Sequence, residues 1–157
     1  MLPDTTIQSV MTTKVYFVKP YDSMAKVDEV FRMHAIHHLP VLDDQGTIIG
    51  ILSREDLSKL KETYPLFTRN KEEEANQFVL ERVLVKEVMS KQLSILGPDD
   101  SIFTAFAIFR QNLIHAIPVV ADGKQLIGIL TPFDLLDYAF QEKLPLQSGS
   151  VKVNGDR

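Results

Sequence analysis

Two stretches of the chain set a hydroxyl three residues ahead of a carboxylate, where an apolar run ends. They are Gly50-Ile51-Leu52-Ser53-Arg54-Glu55-Asp56 and Gly128-Ile129-Leu130-Thr131-Pro132-Phe133-Asp134. The shared pattern is Gly, two apolar residues, Ser or Thr, two variable residues, then Asp. At minimum this is a helix start. Ser53 or Thr131 at the N-cap can accept from a free amide one turn in, and Asp56 or Asp134 suits the positive end of the helix dipole. Pro132 falls on the first helical position, where its missing N–H matters little. The same parts can also hold a ligand. A hydroxyl among free N–H groups at a helix N-terminus suits an anion. A carboxylate one turn further in can accept both hydroxyls of a ribose. A hydroxyl for phosphate and an acid for sugar are the pieces a nucleotide needs.

The elements that must position these residues are duplicated. Sliding the chain by 78 residues superposes positions 10–57 on 88–135 with 18 identities in 48 positions and no gap. Chance at average composition gives roughly 3. Each copy reads as a short strand (Val15 to Val18; Leu93 to Leu96), then Pro20 or Pro98 and an Asp-Ser helix start. A helix follows, with apolar spacing at Met24, Val27, Val30 and Phe31 or at Ile102, Ala105, Ile108 and Phe109. A hairpin comes next (Leu39 to Leu42 with Thr47 to Leu52; Ile117 to Val120 with Gln125 to Leu130), turning at Asp43-Asp44-Gln45-Gly46 or Ala121-Asp122-Gly123-Lys124. A closing helix begins at Arg54 or Pro132. The order β-α-β-β-α, twice, predicts an α/β (α+β-like) fold. A copy of roughly 50 residues buries too little apolar surface to stand alone, so the two repeats should pack as one pseudo-twofold module. The predicted organisation is repeat 1 over 7–62 and a linker over 63–84, with a break near Tyr64-Pro65 and a helix from Lys71 to Arg82. Repeat 2 spans 85–142, and a loose polar tail fills 143–157.

Composition narrows the function classes. The 157 residues are 45% hydrophobic and 24% charged, as globular chains are, and carry a formal charge of −4. That balance argues against a general nucleic-acid or membrane surface. Cysteine is absent, which removes disulfides and thiolate metal sites. No apolar run approaches the ~18 residues of a membrane span. The start Met1-Leu2-Pro3-Asp4 has neither the basic nor the apolar region of a secretory signal, and a cytoplasmic location is expected. His34, His37 and His38 lack the metal-site spacing of a helical i, i+4 pair, and no metal is expected. No Gly-rich phosphate loop, nucleophile elbow or nucleophile–base pair occurs, so the chain is not expected to be an enzyme.

With both motifs in register inside a duplicated unit, the sequence resembles a tandem CBS-domain pair, the module named after cystathionine β-synthase. The resemblance covers about residues 7 to 140. It includes Ile7-Gln8-Ser9-Val10-Met11 and Val85-Lys86-Glu87-Val88-Met89. It also includes His37-His38-Leu39-Pro40-Val41, His115-Ala116-Ile117-Pro118-Val119 and both Gly-to-Asp motifs. It implies two clefts between the repeats that take AMP, ADP, ATP or S-adenosylmethionine, and a regulatory role toward a protein acting in trans. On that resemblance Ser53 and Thr131 meet phosphate and Asp56 and Asp134 take ribose hydroxyls, with Gly50, Arg54 and Gly128 beside them. Thr13, Lys14 and Val15, and Lys91, Gln92 and Leu93, line adenine together with Ile36, His37, His38 and Pro40 and with Ile114, His115, Ala116 and Pro118. A cleft often combines the motif of one repeat with strand residues of the other. Members that hold polyphosphates often place Arg just before the apolar-Pro pair, where this chain has His38 and Ala116.

The copies also differ. Arg54 and a free N–H follow Ser53, whereas Pro132 and Phe133 follow Thr131. The Ser53 cleft is therefore expected to favour phosphate, and the Thr131 cleft a less charged ligand or none. Repeat 2 gains an apolar helical face through Phe103, Phe106, Phe133, Leu136 and Phe140. The linker helix, with Phe78, Val79 and Leu80, could cover this face, but a homodimer that buries it is the expected arrangement. The alternative function is a ligand-free dimerisation or adaptor module in which the motifs only cap helices.

Overall fold

A computed structural model of the chain describes residues 5–63, 72–111 and 113–141. In repeat 1, α1 (Met24–Met33) is followed by the antiparallel strands β1 (His38–Leu42) and β2 (Ile48–Ser53) and by α2 (Arg54–Thr63). The linker carries α3 (Glu72–Arg82) and the single turn α4 (Val85–Val88). Repeat 2 repeats the plan with α5 (Ile102–Phe109), β3 (Ile117–Ala121), β4 (Gln125–Leu130) and α6 (Pro132–Phe140). The expected break near Tyr64-Pro65 and the tail 143–157 lie outside the described residues.

Local chemistry explains the elements. Ser23 caps α1, whose Met24, Val27 and Phe31 are buried at helical spacing. β2 alternates buried and half-exposed residues, as a half-covered strand does. At its turn the Asp43 carboxylate accepts from the amides of Gln45 and Thr47, each at 2.9 Å, and Gly46 takes φ +80°.

The leading strand of each repeat shrinks to one parallel rung: Val18 on Val41, and Leu96 on Val119. Val18 N–H donates to the Pro40 carbonyl at 3.1 Å and Leu42 N–H to the Val18 carbonyl at 3.0 Å. The next rung on one side needs an N–H at position 40, and on the other an N–H at position 20. Both are proline. Pro98 and Pro118 cut the second copy in the same way.

The repeats exchange their lead-in segments. Residues 5–12 pack on repeat 2: Ile7 N–H donates to the Asp100 carbonyl (2.9 Å), and Thr12 pairs with Ile129 through two 3.0 Å bonds. Residues 83–90 pack on repeat 1: Val85 N–H donates to the Asp22 carbonyl (2.9 Å), and Ser90 pairs with Ile51. Ile7 is fully buried in the core of repeat 2, with Leu96, Ala105, Ile117, Val119 and Leu130. Val85 is fully buried in the core of repeat 1. The hairpin edges meet where Thr47 bridges Gln125, on the pseudo-twofold.

The glycine of each motif serves this exchange. A Cβ on Gly50 would fall on the Met89 side chain, and one on Gly128 on Met11. Both glycines were expected beside a ligand; instead the methionine of the other repeat lies on each of them. The linker helix was the other candidate cover for the apolar face of repeat 2. α3 packs on α1, and Leu80 enters the core of repeat 1. Among the described residues it therefore does not cover the apolar face of repeat 2. Phe103, Phe106, Phe133, Leu136 and Phe140 are 40%, 53%, 75%, 54% and 49% exposed.

If the exchange holds repeat 2 together, Ile7→Ala should cost about 2–5 kcal/mol in urea unfolding. It should also speed amide exchange in β3 and β4, which are remote in sequence. Exchange unchanged in those strands would contradict the packing.

Candidate functional site

Both Ser/Thr–Asp pairs form reciprocal caps. Asp56 Oδ2 accepts from the Ser53 N–H and from the Ser53 hydroxyl, each at 2.7 Å, while Ser53 Oγ accepts from the Asp56 N–H at 3.2 Å. Asp134 Oδ2 accepts from the Thr131 N–H and hydroxyl, each at 2.6 Å. Hydroxyl and acid therefore bind each other, and each acid keeps one oxygen for other work.

That oxygen has a different fate in the two copies. Thr12 Oγ1 donates to Asp134 Oδ1 at 2.9 Å, so both oxygens of Asp134 are engaged. Ser90 is the counterpart of Thr12, and no hydrogen bond reaches Asp56 Oδ1 among the described residues. Asp56 instead lines a cleft of about 230 Å³. Repeat 1 contributes His38, Ile51, Leu52, Ser53, Glu55 and Asp56 to its wall. The opposite wall runs from Ser90 through Gln92, Leu93 and Ser94 to Leu113, Ile114, His115, Ala116 and Pro118. Each wall is shaped by the exchange, which lays residues 83–90 against β2.

Of the residues singled out in the sequence, His38, Ser53, Asp56, Leu93, Ile114, His115, Ala116 and Pro118 meet in this one cleft. Thr13, Val15, Ile36, His37, Pro40, Thr131 and Asp134 are counterparts on the other side of the pseudo-twofold and do not line it. Lys91 is exposed beside the cleft, outside its lining. Gln92, also expected at the adenine, lines the cleft, and the residues missed include Glu55, Ser90 and Ser94. The alternation of polar residues at 90, 92 and 94 was a readable signal for an extended wall.

Arg54 requires a correction. Its guanidinium was expected at the phosphate, but it turns back into the end of α1. Nη2 donates to the carbonyls of Phe31 and His34, Nε donates to Ile36, and the group lies 5.0 Å from the Phe31 ring centre. The guanidinium fork supplies a donor to the Phe31 and Ile36 carbonyls and a second donor to the His34 carbonyl, which also accepts from the Ile36 N–H at 2.9 Å.

Of the two imidazoles in the lining, that of His38 resists protonation. Burial pushes the His38 pKa below its ordinary 6.5, and the nearby His115 and His37 push it the same way, against a weaker pull from Asp56.

Two matched hairpin-and-helix repeats, interlocked by their lead-ins and enclosing a cleft between them, define a tandem-repeat module. A CBS domain model matches the chain at residues 7–62 and again at 85–140, and the chain belongs to that family. An uncharacterised protein of Methanocaldococcus jannaschii is 29% identical over 143 residues, covering 88% of this chain and 32% of that protein. The chain spans about a third or less of the longer curated relatives it matches. The CBS domain pair of protein MJ0100, in complex with 5′-methylthioadenosine and S-adenosyl-L-methionine, superposes with a TM-score of 0.72 at 20% identity over 90% of this chain and 100% of that one. CBSX2 in complex with AMP superposes with a TM-score of 0.72 at 24% identity over 88% and 98%. These likenesses establish the fold. Among the described residues, no helix is long and apolar enough to cross a membrane.

The depressed His38 pKa has a definite sign. The unfolded chain takes up a proton near pH 6.5, while the folded chain resists it to lower pH. Stability should therefore be level in this group above that value and fall as the pH drops through it. Urea unfolding of the parent and of His38→Gln, compared from about pH 7.5 to about pH 5, should show the acid-side loss shrinking in the variant. Parallel curves would contradict the assignment.

Proposed function

We propose that this chain is a non-catalytic regulatory sensor that binds one adenosine-containing ligand in the cleft at Asp56. The observation that carries the reading is that cleft itself. The acid of one repeat faces the apolar-Pro strand and extended wall of the other, with Asp56 Oδ1 open to accept from ribose hydroxyls. Leu93, Ile114, Ala116 and Pro118 supply an apolar surface for a base. The adenosine ligands carried by MJ0100 and CBSX2 support the same class of ligand here. The twin cleft is the weaker site, because a ribose there must displace Thr12 from Asp134. A ligand held between the repeats favours one arrangement of them over another, and that differential affinity is what a regulated protein in trans would read.

A thermal-shift screen with AMP, ADP, ATP, S-adenosylmethionine and NAD tests the reading. A ligand at ~100 times its Kd contributes about 2.7 kcal/mol, which should raise Tm by about 5 °C or more. Calorimetry should then give one ligand per chain, lost in Asp56→Ala and retained in Asp134→Ala. No shift with any compound would favour the ligand-free adaptor. Equal loss in both variants would overturn the assignment to one cleft.

The uncovered face on α5 and α6 favours a second copy of this chain as its partner. Phe103, Phe106, Phe133 and Leu136, on α5 and α6, are each 40% or more exposed, an apolar surface that a monomer does not normally leave in water. Phe106→Glu should convert a dimer to a monomer in light scattering. An unchanged mass would defeat the dimer.

A further inference from the structure

The ligand-binding reading leaves open which adenosine derivatives the cleft accepts, and its charges speak to that. Among the described residues the lining contains no lysine or arginine, Lys91 lying outside it, and the fixed charges there are the carboxylates Asp56 and Glu55. Glu55 is paired with Lys59 at 2.8 Å on the solvent side, both largely exposed, whereas Asp56 makes no ion pair with a lining residue. Arg54, the cation next to the motif hydroxyl, is tied to the carbonyls of Phe31, His34 and Ile36. Recruiting it to a phosphate would take that donor from all three, with only the His34 carbonyl keeping an amide, that of Ile36.

The helix N-terminus is equally committed. Arg54 N–H donates to the His37 carbonyl at 3.0 Å, and Asp56 N–H donates to Ser53 Oγ. Ser53 N–H and its hydroxyl proton both go to Asp56 Oδ2. The Glu55 N–H is what remains of that turn for an anion, and it sits beside two carboxylates. The other polar side chains of the described lining are His38, His115, Ser90, Gln92 and Ser94, none of them a fixed cation. Burial holds the first of these neutral at neutral pH. A 5′-monophosphate brings a charge of about −1.5 to −2, and nothing in this wall offsets it. A 5′-hydroxyl or thioether brings none, and a sulfonium is attracted to the acid.

We infer that, given the ligand-binding reading, the cleft at Asp56 selects adenosine derivatives whose 5′ substituent is neutral or cationic and discriminates against 5′-phosphates and polyphosphates. This reverses the expectation drawn from Arg54 in the sequence. The class comprises the free nucleoside, 5′-thioether nucleosides and nucleoside sulfonium ions.

The test is calorimetry of the full chain near neutral pH with adenosine, 5′-methylthioadenosine, S-adenosylmethionine, AMP and ATP, at low and high salt. The first three should bind. AMP should bind about tenfold or more weakly than adenosine, ATP weaker still, and the AMP deficit should narrow in high salt, where repulsion is screened. Glu55→Arg, at an exposed rim position, should lower the ratio of the AMP and adenosine Kd values. AMP or ATP binding more tightly than adenosine in the parent would overturn the charge selectivity while leaving ligand binding intact. Silence from all five compounds would overturn ligand binding itself.

Discussion

The exchange of lead-in segments is the constraint from which the rest of the structure follows. Each hairpin has an outer edge on its second strand, and the other copy's lead-in covers it: Thr12 on Ile129, Ser90 on Ile51. Unpaired strand edges are a liability, and here each repeat shields its twin. The arrangement requires close approach, so each second strand carries a glycine where the partner's methionine lies. It also moves an apolar anchor, Ile7 or Val85, into the opposite core. Neither repeat has a complete core or a complete cleft of its own. A ligand seated between the walls therefore touches both copies at once, which is the property a sensor needs.

The duplication was legible because it is a matter of residue identity at fixed spacing, and the helix starts because Ser23, Ser53, Ser101 and Thr131 act locally. The turn at Asp43 to Gly46 was legible for the same reason. The reduced leading strands were legible in principle. Proline stands at 20, 40, 98 and 118, the donor positions of the missing rungs. What could not be read was tertiary. Arg54 looks like a phosphate ligand until the end of α1 is seen beside it, offering carbonyls. Gly50 and Gly128 look like ligand-approach glycines until the methionines of the other copy arrive. Nothing local in Thr12 announces that it reaches Asp134, 122 residues away. The linker helix could have covered either repeat. It lies on α1, where Leu80 completes the first core.

The two copies thus share a scaffold and have diverged at the acid. In one, a threonine of the partner lead-in satisfies the carboxylate and the corner closes on itself. In the other, a serine stands at the same place and the carboxylate keeps an open oxygen. A difference of a methyl group and one hydrogen bond separates a self-satisfied cap from a corner able to receive a hydroxyl. The price of such readiness is a polar oxygen left for water in the free protein, and a cleft mouth that stays hydrated until a ligand enters.

The central claim is that one wall from each repeat encloses a single ligand whose sugar lies on Asp56. A crystal structure of the chain grown with 5′-methylthioadenosine addresses it directly. The account requires ligand density between Asp56 and the Ile114 to Pro118 strand, with ribose hydroxyls at hydrogen-bond distance from Asp56 Oδ1 and Thr12 still bonded to Asp134. Density seated at Asp134 instead, or a ribose turned away from Asp56, would contradict it.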